Sequence, residues 1–225
     1  MKRRRVTWLV VAVLLALSVL AAACGGGGSQ VPTELVGREI REYEGKDLSS
    51  IQDFRENSIK GPQSVSKEDY TLEITGLVDE SLSLSYDQVL ERDQYSKVVT
   101  LYCVEGWDAT ILWEGVLIED LLEEAGVQDE AAVVIFHAED GYTSSLTLDY
   151  VRENDILLAH KMNDVTLPEE RGFPFQVVAE SKWGYKWVKW VTEIELSADE
   201  DYRGYWEQYG YNNDGDVAGP MFETD

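Results

Sequence analysis

One cysteine of the chain stands where a thiol could do chemistry. Cys103 ends the apolar run 98–103, and the residues Val-Glu-Gly-Trp follow it, so a strand gives way to a loop at the sulfur. Such an unpaired thiol is a reactive group, a metal ligand or a buried apolar side chain. The histidines His137 and His160 show no spacing that identifies a base, and CxxC and HExxH zinc patterns do not occur. These residue types favour a redox cofactor with one soft thiolate ligand.

A lysine-rich segment near the end of the chain is a second candidate site. Lys182, Lys186 and Lys189 surround Gly184 in a sequence that is otherwise strongly acidic. Basic side chains and free backbone amides around a glycine turn are the groups that bind a phosphate. The alternative is an exposed basic turn whose neighbouring tryptophans only pack, and the residues alone leave both interpretations open.

The first residues have the pattern of an export signal. Four basic residues at 2–5 precede the apolar stretch 6–20 and three alanines at 21–23, which predicts a cleaved segment over 1–23. Leu-Ala-Ala-Ala-Cys at 20–24 resembles the lipobox of prokaryotic lipoproteins, and the resemblance implies a lipid on Cys24. The glycines that follow then form a flexible tether. An uncleaved anchor helix is the alternative, and either interpretation predicts an extracytoplasmic, periplasmic or extracellular protein held at the cell membrane. The arginines at 3–5 also allow a twin-arginine signal, which exports folded proteins.

The charge of the chain excludes some partners. Asp and Glu number 43 against 19 Lys and Arg, for a net charge of −24. Such a charge repels phosphate backbones and anionic lipid, so we expect neither nucleic-acid binding nor a polybasic membrane contact. Hydrophobic residues make up 44% of the sequence, enough for a sizeable globular core.

Hydrophobic patterning predicts an α+β domain with short helices. Strands are predicted at 70–76, 98–103, 131–136, 156–162, 175–179 and 188–196, and helices at 85–92, 115–125 and 148–152. Gly126 is the predicted stop of the second helix. The predicted organisation is an export signal at 1–23, a lipidated cysteine and linker at 24–49, the main domain at 50–198, and an aromatic and acidic extension packed on it at 199–225.

Several motifs in a fixed order resemble one known family. They are Phe-Arg-Glu-Asn-Ser-Ile at 54–59, Tyr-Thr-Leu-Glu-Ile-Thr-Gly at 70–76, Cys-Val-Glu-Gly-Trp at 103–107, Trp-Glu-Gly-Val-Leu at 113–117, Leu-Leu-Ala-His-Lys-Met-Asn at 157–163, Gly-Phe-Pro at 172–174, and the lysine-rich run 182–190. Together they resemble the oxidoreductase molybdopterin-binding domains, which have the sulfite oxidase fold with mixed β-sheets. The form around Cys103 is most similar to the catalytic subunits of periplasmic methionine-sulfoxide reductases.

The resemblance implies a Mo-molybdopterin cofactor. In such a site two dithiolene sulfurs of the pterin and the Cys103 thiolate hold molybdenum, which alternates between Mo(VI) and Mo(IV). The resemblance assigns catalytic positions to Cys103 and to Tyr142, in a segment 142–145 expected to form a loop over the metal. It assigns cofactor contacts to Arg55, Asn57, Ser58, Arg171, Gln176, Lys182, Lys186, Trp187, Val188 and Lys189. Arg171 and Gln176 stand where the family commonly has a histidine and an arginine, and a neutral Gln176 makes sulfite a poor substrate.

The implied activity is oxygen-atom transfer to or from a small substrate of the S-oxide or N-oxide type. Because the chain lacks the haem domain of animal sulfite oxidases, we expect a separate electron-transfer partner, a cytochrome or a quinone-linked membrane protein. One alternative is a non-catalytic ligand-binding lipoprotein that keeps the fold. Another is an interaction module that uses the aromatic run 202–211, although such aromatics more often complete a core or line a cleft.

Overall fold

The computed structural model describes residues 39–223. The predicted export signal, Cys24 and the glycine tether therefore lie outside the described residues. The strands are β1 (Glu42–Tyr43), β2 (Lys46–Asp47), β3 (Thr71–Gly76), β4 (Leu82–Ser85), β5 (Tyr95–Tyr102), β6 (Asp108–Leu117), β7 (Val133–Ala138), β8 (Thr143–Thr147), β9 (Leu157–Met162), β10 (Val165–Thr166), β11 (Gln176–Val178) and β12 (Val191–Ser197). The helices are α1 (Tyr86–Leu90), α2 (Ile118–Ala125) and α3 (Leu148–Glu153), with 3₁₀ turns at Glu169–Arg171, Gly184–Lys186 and Glu207–Tyr209. Within this part of the chain, no helix has the length and apolar character needed to cross a membrane.

The first five-stranded sheet positions the cysteine. Its order is β10-β9-β6-β5, and β11 also pairs with β9. Strands β5 and β6 form an antiparallel hairpin that closes at the pair Tyr102 and Asp108. The hairpin loop begins at Cys103, whose backbone N–H donates to the carbonyl of Trp107 at 2.9 Å. Gly106 closes this loop with φ +84°, a left-handed conformation that favours glycine.

The second five-stranded sheet consists of the strands β3, β4, β7, β8 and β12. Its order is β4-β3-β12-β7-β8, with β12 parallel to β3 and the other pairs antiparallel. Buried side chains of both sheets, among them Ile74, Trp113 and Ile194, belong to one hydrophobic cluster. The predicted α+β class with mixed sheets and short helices is confirmed.

The second helix begins later than its sequence pattern indicates. Residues 115–117 extend β6 and pair with Leu157–Ala159 of β9, so a helix from Gly115 is wrong. At Gly115 the two strands approach so closely that a β-carbon would lie 2.2 Å from the carbonyl oxygen of Leu158. The predicted stop at Gly126 is confirmed, with φ +72° at the helix C-cap.

The predicted loop over the metal is mostly a strand. Residues 143–145 belong to β8 and pair with β7, so only Tyr142 remains in the connecting loop. Ser144 and Ser145 are both buried in this strand, and Ser144 Oγ donates to Glu207 Oε1 at 2.6 Å. A strand with buried serines lacks the hydrophobic alternation by which strands are predicted.

Burial of His160 makes the stability of the fold depend on pH. Burial lowers the pKa of this histidine to about 4, while nearby Glu114 opposes the shift. Its ring nitrogen Nε2 lies 2.9 Å from Gln94 Oε1 and in the neutral form can donate to it. In the unfolded chain the His160 imidazole binds a proton near pH 6.5, whereas in the folded chain it stays neutral down to about pH 4. The stability of the fold therefore falls as the pH is lowered from 6.5 towards 4.

Because of this histidine, we expect the free energy of unfolding to be about 2 kcal/mol lower at pH 5 than at pH 7. His160→Gln should reduce the slope of stability against pH by that amount, as measured by urea unfolding at both pH values. His137→Gln, which removes the other histidine of the chain, controls for the loss of an imidazole as such. Equal slopes for the wild type and His160→Gln would contradict the prediction.

Candidate active site

A cleft of ≈ 420 Å³ opens beside the β5–β6 hairpin loop. Its walls come from an arm before β3 (residues 54–59), the hairpin loop, the β7–β8 loop, residues 170–176, the lysine segment (residues 182–190) and the C-terminal segment (residues 199–223). The predicted site residues that line it are Arg55, Asn57, Ser58, Cys103, Tyr142, Arg171, Gln176, Trp187 and Lys189. Segments far apart in sequence therefore meet at one place.

Cys103 lies in the cleft wall with its thiol largely out of solvent. It is the free cysteine of the described chain and is 7% exposed. The Asn57 amide Nδ2 donates to its Sγ across 3.5 Å, which brings the arm against the hairpin loop. Burial raises the pKa of the Cys103 thiol, while hydrogen bonds from the backbone of Glu105 and from Asn57 oppose the shift. Like these hydrogen bonds, a cation bound at the sulfur would lower the pKa of the thiol, because it stabilises the negative charge of the thiolate.

Arg171 fixes the arm that carries Asn57. Its guanidinium donates to the backbone carbonyls of Ile51 at 3.2 Å and Phe54 at 2.8 Å and lies 5.2 Å from the ring centroid of Phe54. Burial lowers the pKa of Arg171. Two of its five N–H donors are used on the backbone of the arm, so this buried arginine holds the arm in place.

The three lysines of the lysine segment have different surroundings. Lys189 lines the cleft, where its Nζ pairs with Glu56 Oε1 at 2.8 Å and lies 4.2 Å from the ring centroid of Trp190. Lys182 pairs with Asp216 at 2.6 Å, outside the cleft lining. Lys186 is completely buried in an ion pair with Glu207 at 2.7 Å.

Lys182, Lys186 and Val188 therefore do not line the cleft, and their predicted contacts with a cofactor stay predictions. The side chain of Val188 is fully buried, and its carbonyl accepts from Val177 N–H at 2.9 Å. Trp187 between them lines the cleft and donates from Nε1 to the carbonyl of Lys182 at 3.0 Å.

Tyr142 and Gln176 face the cleft from opposite sheets. Tyr142, in the β7–β8 loop, donates its hydroxyl to the carbonyl of Tyr185 at 2.6 Å, and burial raises its pKa well above the usual value. The hydroxyl is therefore a hydrogen-bond donor that orients the lysine segment. Gln176 is a buried residue of β11.

Other cleft residues were not predicted individually as site residues from the sequence. Carboxylates from Glu56, Glu105, Asp140 and Glu170 line the cleft, and so do Trp206 and Tyr211 of the C-terminal segment. The carboxylates carry no sequence signal in a chain with 43 acidic residues. The density of aromatic residues over 202–211 was the available signal for Trp206 and Tyr211.

The cleft fits an organic cofactor that brings its own metal ligands. Ser58 Oγ and Glu170 Oε1 are buried in its wall without a hydrogen-bond partner, so both are free to bind a polar ligand. Within residues 39–223, no three or more His, Cys, Asp or Glu side chains are grouped closely enough to hold a metal ion. One thiol beside unsatisfied polar groups suits a metal whose other ligands come from the cofactor.

Comparison with known proteins agrees with this geometry. The family model described as oxidoreductase molybdopterin binding domain matches residues 59–206. An uncharacterized oxidoreductase, YuiH of Bacillus subtilis, is 37% identical over 148 residues, which are 65% of this chain and 74% of the relative. The catalytic subunit MsrP of a protein-methionine-sulfoxide reductase from Gluconobacter oxydans is 30% identical over 56% of this chain and 46% of its own.

A solved structure also has this fold. The sulfane dehydrogenase SoxCD from Paracoccus pantotrophus aligns with a TM-score of 0.63 and 20% identity over 90% of this chain and 61% of its own. The chain spans only part of these relatives, 61% of SoxCD, 46% of MsrP and 30% of the sulfite oxidase of Drosophila melanogaster. The family match itself covers most of the described chain, including Cys103 and the lysine segment. The chain therefore belongs to the oxidoreductase molybdopterin-binding domain family and is a molybdopterin-dependent oxidoreductase with the sulfite oxidase type of fold.

Proposed function

We propose that this chain is a molybdenum enzyme that moves an oxygen atom to or from a small, uncharged S-oxide or N-oxide. The observation that carries the proposal is the free Cys103 thiol in the cleft wall, 3.5 Å from Asn57 Nδ2, in a cleft that also contains unsatisfied polar atoms. When bound, a molybdenum–pterin cofactor supplies the two-electron redox chemistry and takes up or releases the oxygen atom. In reduction of an S-oxide the S–O bond breaks, sulfur gains two electrons, and the oxygen leaves with two protons as water.

The residues of this chain bind and orient the cofactor in the proposed site. The Cys103 thiolate is the protein ligand of the metal, and Asn57 donates a hydrogen bond that stabilises the charge on sulfur. Lys189 holds an anionic group of the cofactor and exchanges its pair with Glu56 for that group. Ser58 and Glu170 give the cofactor a hydrogen-bond donor and an acceptor.

The charges of the cleft favour an uncharged substrate over a small oxyanion. Four carboxylates line the cleft against the cations of Arg55, Arg171 and Lys189. The Arg171 guanidinium donates to two backbone carbonyls and Lys189 is paired with Glu56, whereas Arg55 makes no ion pair within residues 39–223. Gln176 adds no charge, so sulfite meets little attraction there.

We also propose an extracytoplasmic location, with a lipid on Cys24 and a separate redox protein as electron partner. The residues before 24 support the location. The separate partner is supported by a relative from Azospira oryzae, 30% identical over 71% of this chain, which is named as a putative subunit of a protein-methionine-sulfoxide reductase. Fractionation of the producing cells tests the anchor: the protein should lie in the membrane fraction, and Cys24→Ser should release it. Equal membrane association of that variant would contradict the lipid anchor.

The test of the reaction starts with protein from a host supplied with molybdate. We expect about one molybdenum and one pterin per chain. The protein should reduce S-oxides or N-oxides with reduced viologen and oxidise sulfite with ferricyanide much more slowly. Bound cofactor without turnover of any S-oxide or N-oxide would contradict the reaction and favour the ligand-binding alternative.

A further inference from the structure

The C-terminal segment carries a cluster of aromatic side chains that the cofactor roles leave unused. The ring centroids of Trp206 and Tyr211 are 5.6 Å apart, and those of Tyr211 and Phe222 are 4.8 Å apart. Tyr209 lies 6.0 Å from Trp206 and is 68% exposed, while Trp206 itself is 39% exposed. Contiguous exposed apolar groups of this kind commonly mark a binding surface.

This cluster is continuous with the cleft wall beside the thiol. Trp206 and Tyr211 both line the cleft, and the Tyr211 ring centroid lies 5.1 Å from that of Tyr185. Tyr185 follows Gly184, which lies beside the hairpin loop, since a β-carbon there would be in ordinary van der Waals contact with Cys103 Cα at 3.7 Å. A ligand that fills the cleft from Cys103 to the C-terminal segment therefore contacts these aromatic rings.

The rest of the protein holds the rings in position. Tyr205 N–H donates to the carbonyl of Thr143 in β8 at 2.8 Å, and the Tyr185 hydroxyl donates to the carbonyl of Asn212 at 2.8 Å. The buried pair of Glu207 with Lys186 fixes the residue next to Trp206. A surface anchored in this way loses little conformational entropy when a ligand binds.

The chemistry of the rings, together with the cleft charges, identifies the ligand class. We propose that Trp206 and Tyr211 form a substrate subsite for the apolar, preferably aromatic, substituent of an uncharged S-oxide or N-oxide. Aromatic rings stack on such a substituent and bury its surface, whereas a small oxyanion has no group to place there. The proposal rests on the proposed oxygen-atom transfer and adds which substrates of that class are preferred.

The test compares two S-oxides in the holoenzyme. We expect Trp206→Ala to raise KM for methyl phenyl sulfoxide about tenfold and that for dimethyl sulfoxide less than about twofold, with kcat kept for both. Trp206→Phe should keep most of the preference because it retains a ring. Tyr95→Ala is the matched control, since Tyr95 is 38% exposed at the start of β5 and does not line the cleft.

A binding measurement separates this subsite from the reaction. Without a reductant, calorimetric titration of the molybdenum-loaded protein with methyl phenyl sulfoxide should show about tenfold weaker binding for Trp206→Ala. If the wild type reduces no S-oxide but binds this one through Trp206, the subsite stands and the proposed reaction fails. If S-oxides are reduced and the ratio of the two KM values is unchanged, the subsite is overturned. Molybdenum loss in Trp206→Ala, or an equal fall in kcat/KM for both substrates, would assign Trp206 to the cofactor and also overturn it.

Discussion

Cys103→Ser is expected to lower turnover of every oxide substrate by at least about 100-fold, since even outer contacts of a metal site cost 10- to 100-fold. Serine is close to cysteine in shape, but its hydroxyl has a pKa far above that of a thiol and is a hard ligand for a metal that suits soft sulfur. Bound molybdenum should fall with turnover. The domain should still fold, because Cys103 begins the hairpin loop at the cleft wall and a hydroxyl there can reach the Asn57 amide.

Three measurements on protein from a molybdate-supplied host check this prediction: molybdenum content, viologen-linked turnover and thermal unfolding. Cys24→Ser is the matched control, because it removes the other cysteine of the chain and leaves the cleft sequence unchanged. The control should keep its molybdenum and its turnover. Full metal occupancy and full turnover in Cys103→Ser would remove the ligand role from this residue.

The sequence predicts a strand or helix well where its hydrophobic pattern or capping motif fits only one kind of element. Strand β3 alternates between buried and more exposed residues, strand β9 is almost entirely buried, and both begin within one residue of their predicted starts. Ser85 caps α1 with a complete capping box, because Ser and Gln three residues apart satisfy each other's backbone N–H groups. Strand β6 was missed because residues 111–113 are buried on both faces, which erases the alternation.

The candidate site was predictable where motif residues lie on one continuous segment. Cys103 and Asn57 were each predicted from local motifs, and the fold brings them together. The partner of each lysine was not predictable, because the local sequence does not distinguish a lysine that binds an anionic cofactor from one that is paired with a carboxylate. Glu207 and Asp216, the partners of Lys186 and Lys182, lie 20 or more residues away along the chain.

Glu207→Gln is expected to lower the free energy of unfolding by about 3–5 kcal/mol, the usual cost of leaving one member of a buried ion pair without its partner. Both side chains of the Lys186–Glu207 pair are fully buried. Burial lowers the pKa of Lys186, and the carboxylate of Glu207 is the main group that opposes this shift. Without that carboxylate, the pKa of Lys186 in the folded protein should fall further, although its Nζ still reaches the carbonyl of Ser145 at 3.0 Å.

The pH dependence of this variant distinguishes a buried charge from a simple loss of packing. The unfolded chain keeps the Lys186 proton up to about pH 10, whereas burial lowers the pKa of Lys186 in the folded variant with no carboxylate to oppose it, so the stability of Glu207→Gln should rise as the pH is raised from 7 towards 9. The double change Lys186→Met with Glu207→Leu removes both charges and should recover about half or more of the loss. Asp216→Asn breaks the neighbouring pair of the same segment, where Asp216 is half exposed, and should cost less than about 1 kcal/mol. Urea unfolding of the wild type and the three variants at pH 7 and pH 9 measures the loss of stability, its pH dependence and its recovery in the double variant. A loss in Glu207→Gln no larger than that in Asp216→Asn would show that the buried pair does not hold the C-terminal segment on the lysine segment.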